Sequence, residues 1–314
     1  MDNLTHSLTG AMLGQTGLKR KTGLAMPALI IGANLPDVDA ACFLWLDGVE
    51  RLAFRRGITH GPIAWLVLPL LLAAALWAFD RWQARRGRQP EGRLPVRFGW
   101  LFTLALIACL THPALDWLNV YGIRLLEPFS SRWFYGDVLF IVDVWLLAIL
   151  GTGTWLSLRR EKRQGEWMRP ARLAIAVAIG YIGLNGLISR NAIDAPVGLA
   201  RISSPLPVLS LAREQLAGTT NDWFYWDESV ADWIPLVDRD QHCQWPDLAR
   251  LRLLDRDLDA FLFWSRAPFA DRAPDGSVIL RDARYYSPLA RDRFSVALPG
   301  VGCEPLSSPA RTAG

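Results

Sequence analysis

Residues 62–79 read PIAWLVLPLLLAAALWAF, eighteen positions without a charge. A run of that length matches the roughly 30 Å hydrocarbon core of a bilayer. Three more runs accompany it. Residues 99–115 are uncharged apart from any proton on His112, residues 138–158 hold the single acid Asp143, and residues 173–189 are uncharged. Trp65, Trp77, Trp82, Trp100, Trp145 and Trp155 lie in or beside these runs, where interfacial aromatics belong. Buried helices of a soluble protein are the alternative, but four such runs separated by arginine-rich links argue for membrane spans. The N-terminal part is less regular. Residues 4–18 are short for a span, and residues 24–46 contain Pro27, Pro36, Asp37 and Asp39. Both read as half-buried or broken helices, which a bilayer tolerates only against protein or a wet cavity. The start Met1-Asp2-Asn3 lacks the basic region of a cleaved signal peptide and is expected to be retained.

The charge distribution agrees. The 314 residues are 51% hydrophobic and 20% charged, which excludes disorder, and 25 Gly with 20 Pro exclude a coiled coil. The formal net charge of +4 is a sum of opposites. Residues 1–189 carry 20 Lys+Arg against 13 Asp+Glu, and residues 190–314 carry 14 against 17. The positive excess sits on three links, residues 19–21, 80–97 and 159–172, so it is a topological address rather than a nucleic-acid surface. By the positive-inside rule these links face the cytoplasm. His60, His112, Asp116, the loop 119–137 and the region after Arg190 then face outward, toward the periplasm of a Gram-negative cell. The expected architecture is a membrane α-helical bundle of four clear transmembrane helices plus two short or broken N-terminal helices. It occupies residues 1–190 and is followed by a small soluble α+β domain, residues 191–306, and a disordered tail, 307–314.

Ionisable residues at membrane depth are expensive and mark functional sites by default. Asp2 and His6 are i,i+4 and share a helix face. Asp37 and Asp39 flank a proline break, His60 ends the string RRGITH, and His112 and Asp116 are again i,i+4. Imidazole nitrogen and carboxylate oxygen suit zinc, with manganese or iron as the other candidates, and these residues suffice for one or two ions. Taken singly, each residue has a plainer role: a packed histidine, a helix cap at Asp2 or Asp37, a proline kink at His112-Pro113. Jointly those roles would leave several lone polar groups in apolar surroundings, so a metal site is favoured.

In order, the strings Leu4-Thr5-His6, Pro36-Asp37-Val38-Asp39, Gly57-Ile58-Thr59-His60 and His112-Pro113-Ala114-Leu115-Asp116 resemble the YdjM-type membrane-bound metal-dependent hydrolase family. The likeness continues through Asn119-Val120-Tyr121-Gly122 to Ser130 and covers about residues 1–190. It implies a multi-spanning helical protein with metal-dependent hydrolase activity. HPALD also has a weaker similarity to the zinc-dependent phospholipase C signature. Two positions depart from the pattern: Gly61 stands where Ser commonly follows the histidine, and Val144 where Pro often follows the acid.

The expected ligands are His6, Asp37, Asp39, His60, His112 and Asp116, with Asp2 as a seventh candidate. Asp37 or Asp39 is the candidate general base. Arg124, Arg56, Asn119, Tyr121 and Arg132 are candidates for holding a substrate anion, with headgroup anchoring as the alternative for the arginines. Asp143 is expected to orient a ligand histidine or to pair with an arginine. The apolar setting favours a membrane lipid or lipid-linked ester or phosphoester as substrate. A transporter or metal-ion carrier, or a non-catalytic membrane factor with a structural metal, would use the same ligands.

In the outer region, residues 246–259 read as a helix, and 219–226, 261–265, 277–280 and 294–298 as short strands. Cys243 and Cys303 are expected to form a disulfide there, while Cys42 and Cys109 read as buried fillers.

Overall fold

A computed structural model of the chain describes residues 1–206, 209–288 and 290–306; the tail expected to be disordered, 307–314, lies outside them. The helices run in chain order as α1 (Asn3–Gln15), α2 (Ala25–Asn34), α3 (Glu50–Phe54), α4 (Pro62–Arg85), α5 (Phe98–Trp117), α6 (Val144–Lys162) and α7 (Met168–Arg190). A 3-10 stretch, Leu35–Leu44, continues α2. The chain forms two compact units. One contains residues 1–41, 56–191 and 205–212, and the other contains 42–55, 192–204 and 213–314. This refines the single expected boundary near residue 190. The segment 42–55 bears Asp47, Glu50, Arg51 and Arg55 and leaves the apolar unit, while 205–212 joins it.

Among the described residues, four helices are long and apolar enough to cross a membrane: Ala25–Leu44, Pro62–Arg85, Phe98–Trp117 and Met168–Arg190. The expected span at 138–158 is therefore replaced in the set of four by the proline-broken segment Ala25–Leu44. Residues 138–143 are not helical, because the amides of Val138 and Leu139 bond to the Leu118 carbonyl. Helix α6 instead starts at Val144 and ends on Arg159, Arg160 and Lys162, which dilutes its apolar character.

Small residues let the helices approach. A Cβ added at Gly10 of α1 would lie 2.4 Å from the Leu29 carbonyl oxygen of α2, so backbone meets backbone there, the usual device of membrane interfaces. Ala25, Ala28, Leu29, Ala73, Leu101, Leu104 and Ala108 form one buried cluster of α2, α4 and α5. Met12, Leu146, Leu150, Ala171, Ala174 and Ala178 form another of α1, α6 and α7. Leu66, Leu70 and Leu71 of α4 stay exposed, as lipid-facing positions should.

The bundle has two chemically distinct ends. Lys19 pairs with Glu161, the Gly23 amide bonds to the Pro95 carbonyl and the Arg97 amide to Thr22 Oγ1. All three basic links thus meet at one end. The N-terminus of α1 and the C-terminal ends of α2 and α5 gather the titratable residues at the other.

The second unit holds two antiparallel sheets. Strands β1 (Ala200–Pro205), β2 (Arg213–Gly218), β3 (Trp223–Asp227) and β4 (Asp232–Pro235) follow in order in one, and β5 (Pro268–Arg272), β6 (Ser277–Asp282) and β7 (Ser295–Gly302) in the other. Asp275-Gly276 turns β5 into β6, with Gly276 at φ +81°. The expected helix over 246–259 is two short helices, α8 (Leu248–Leu251) and α9 (Arg256–Trp264). The break comes where Asp255 accepts the Leu258 amide and starts a new helix. The expected strand 261–265 is instead the end of α9, whose Leu258, Phe261 and Trp264 share one buried face. Helix α3 packs on α9, with Glu50 3.2 Å from Arg256. Cys243 and Cys303 are disulfide-bonded, as expected, and Cys42 and Cys109 are free and buried.

Candidate metal centre

Four side chains converge at the histidine end. Asp37 comes from the 3-10 stretch after α2, His60 from the short 3-10 turn Ile58–His60, and His112 and Asp116 from successive turns of α5. One ligand atom from each lies within 4.8 Å of all the others, and all four residues are buried. His60 Nε2 is 3.2 Å from His112 Nε2. Each of these nitrogens is 3.6 Å from Asp116 Oδ2, and His112 Nε2 is 3.7 Å from Asp37 Oδ1. Tetrahedral zinc bonds of about 2.0–2.2 Å separate neighbouring ligand atoms by about 3.3–3.6 Å. The observed spacing fits one such ion.

The proton positions point the same way. His112 Nδ1 lies 2.7 Å from the Ala33 carbonyl oxygen, which only accepts. Nδ1 therefore carries the hydrogen, and the neutral ring turns its Nε2 lone pair inward. His60 Nδ1 faces Thr59 Oγ1 at 2.9 Å and Asp39 Oδ2 at 3.6 Å, which favours the same tautomer. Two inward lone pairs then meet at 3.2 Å, an arrangement that a cation between them would turn from repulsive to attractive.

His6 stacks on His112 with ring centroids 3.7 Å apart, and its Nε2 is 3.4 Å from Asp116 Oδ1. Neither of its ring nitrogens has a hydrogen-bond partner among the described residues, although the side chain is fully buried. It stands beside the group of four, on the opposite oxygen of Asp116. That oxygen also receives the α-amino group of Met1.

Other expected residues take supporting positions. Asp39 accepts the Arg56 amide at 2.8 Å and Thr59 Oγ1 at 3.3 Å, so it braces the His60 turn from behind. Arg56, at φ +57°, places Nε 3.0 Å from Asp116 Oδ2 and donates from Nη1 to Asn119 Oδ1 at 2.9 Å. Its guanidinium lies over the Tyr121 ring, 4.5 Å from the centroid. Arg56, Asn119 and Tyr121, expected to bind a substrate anion, thus form a chain that holds Asp116. Arg124 pairs with Glu127 at 3.2 Å and lies over Trp133. It packs so close to Gly57 that a Cβ there would come 2.3 Å from Nη2. Arg132 is exposed and lies over Phe134.

Two expectations are corrected. Asp2 is not turned to the ligands: it caps α1, accepting the Leu4 and Thr5 amides and Thr5 Oγ1. Asp143 neither orients a histidine nor pairs with arginine: it caps α6 through the Leu146 amide and accepts hydroxyls from Tyr181 and Ser210. Sequence reasoning gave no role to Thr59 or to the Ala33 carbonyl. Thr59 had a signal, since it directly precedes His60 in the quoted string. A backbone carbonyl has none.

The sequence profile of the YdjM inner membrane protein family matches residues 1–192, which contain α1 to α7. The chain belongs to this family. It is also 28% identical over 141 residues to an uncharacterized protein, YfhP, of Bacillus subtilis (strain 168), a match that covers 42% of this chain and 39% of that relative's length. No solved structure matches the chain.

Proposed function

We propose that this membrane protein is a metal-dependent hydrolase acting on an ester or phosphoester of a membrane lipid or lipid-linked substrate. The observation that carries the reading is the convergence of Asp37, His60, His112 and Asp116, buried and spaced for a single ion. Zinc is the ion best suited to this donor set. A divalent ion there supplies Lewis acidity, lowering the pKa of water toward 7 and polarising the scissile oxygen. The protein's own residues do the rest. His60 and His112 present fixed Nε2 donors, Asp39 and Thr59 hold the His60 ring, and Arg56 fixes one oxygen of Asp116. A second ion would draw on His6 and the other Asp116 oxygen. Arg124, which pairs with Glu127, is the candidate anchor for the substrate anion.

Placement supports a lipid substrate and a periplasmic face. The ligands lie at the bundle end opposite the three basic links, which the positive-inside rule assigns to the cytoplasm. The residues after Arg190 then follow on the outer side.

The test is metal analysis of the purified protein beside His60→Ala and His112→Ala. About one or two equivalents of divalent metal are expected in the wild type, with loss in both variants. Lipid profiles of cells with and without the wild-type protein then read the activity, with a lipid class expected to fall and its hydrolysis product to rise. Unchanged metal content in both variants would sink the site, and unchanged lipid profiles the proposed substrate class.

A further inference from the structure

Helices α6 and α7 enclose a groove of about 740 Å³, within the usual range of ligand sites. Its lining is amphiphilic in one direction. Trp145, Leu156, Leu173 and Val177 form apolar walls, and Arg160 and Arg169 close one end. Ala148, Gly153 and Ala174 keep the middle open, and no other charged residue lines it. Small size is enforced here: a Cβ on Gly153 would sit 2.3 Å from that of Ala174.

We propose that this groove binds an anionic phospholipid, with its phosphate between Arg160 and Arg169 and an acyl chain along α6 toward Trp145. Charge complementarity selects the occupant. Both guanidiniums are exposed, and the neighbouring Glu161 is taken by Lys19. No ion pair engages Arg160 or Arg169 among the described residues. Arginine pairs and apolar clefts at the basic end of a helical bundle suit acidic headgroups. The dimensions agree. Trp145 to Arg160 is fifteen helical steps, or about 22 Å at 1.5 Å each. That spans the acyl depth of one leaflet, about 15 Å of the roughly 30 Å core, and leaves the headgroup at the arginines. The arginine end of the groove lies at the basic end of the bundle, and the groove shares no residue with the metal centre, so the site is independent of any hydrolysis.

Native mass spectrometry of the full-length protein tests it, with added palmitoyl-oleoyl phosphatidylglycerol or the same-chain phosphatidylcholine as probe. The wild type is expected to retain phosphatidylglycerol at least tenfold more strongly. The double variant Arg160→Gln/Arg169→Gln should lose that preference. Ala148→Trp, which fills the groove from an exposed position, should lower retention with both arginines intact. Arg159→Gln/Arg163→Gln removes equal charge outside the groove and should keep the preference. Equal retention of the two lipids by the wild type would overturn the site. So would an equal loss in the Arg159/Arg163 control, which would mean general attraction to the basic end.

Discussion

At the level of single residues, the site turns on how imidazole protons are held. The Ala33 carbonyl fixes His112, and the Thr59 hydroxyl and Asp39 fix His60. Asp39 is one of the expected ligands, and two of its contacts are to the segment that carries His60. Partners of this kind typically contribute 10–100-fold in metal affinity. Asp39→Asn is therefore expected to weaken zinc binding by about that factor while full stoichiometry returns at saturating metal. Competition against a fluorescent chelator reads both quantities; unchanged affinity, or stoichiometry lost at any concentration, would refute the positioning role.

A second residue-scale expectation concerns the soluble unit. Burial lifts the carboxyl of Asp282, but Arg284, with Nη2 at 2.7 Å, and the Ser265 hydroxyl outweigh it and hold the group below the usual aspartate value. A depressed folded value means stability that is present above the unfolded value of 3.8 and lost as pH falls through the folded one. Asp282→Asn leaves Arg284 buried without its charge partner, which costs about 3–5 kcal/mol at neutral pH. Denaturant unfolding of the full chain, followed by tryptophan fluorescence, should show that gap narrowing below pH 4. A gap that stays constant from pH 7 to pH 3 would contradict the assignment.

At the scale of elements, long apolar runs were legible because the bilayer admits few solutions: residues 62–79 and 99–115 lie inside α4 and α5. The broken character of residues 24–46 was legible too, since Pro36 and two acids interrupt an apolar run, and α2 passes there into a 3-10 stretch. Boundaries decided by tertiary hydrogen bonds were not. Nothing local says that Val138 and Leu139 will bond to Leu118 and delay α6 to Val144. The same limit explains the two misplaced aspartates. A capping aspartate and a ligating aspartate have the same letter and the same i,i+4 or i,i+3 neighbours, and only the fold decides which way the carboxylate turns. Residues 261–265, aromatic and short, suit a strand until the cap at Asp255 commits them to α9. His60, His112 and Asp116 were readable for the opposite reason. Their cost in apolar surroundings makes them conspicuous, whereas Thr59 is ordinary anywhere.

For the whole molecule, the proposed topology assigns the site, the disulfide and the soluble unit to one compartment, and this assignment is testable. The three basic links join at one end of the bundle. The disulfide between Cys243 and Cys303 closes a loop of 60 residues, which in the chain-entropy account stabilises by about 4 kcal/mol, and it forms in oxidising compartments. The soluble unit is therefore expected outside the cytoplasm. Arg88→Cys, exposed on the α4–α5 link, provides the internal reference. In intact cells a membrane-impermeant maleimide should label neither Arg88→Cys nor the untreated soluble unit. After mild reduction the soluble unit should become labelled without permeabilisation, whereas Arg88→Cys should need the membrane opened. Labelling of Arg88→Cys in intact cells would invert the topology and move the metal centre to the cytoplasmic face. Labelling of Cys243 or Cys303 in unreduced intact cells would remove the oxidised pair but keep the outward placement.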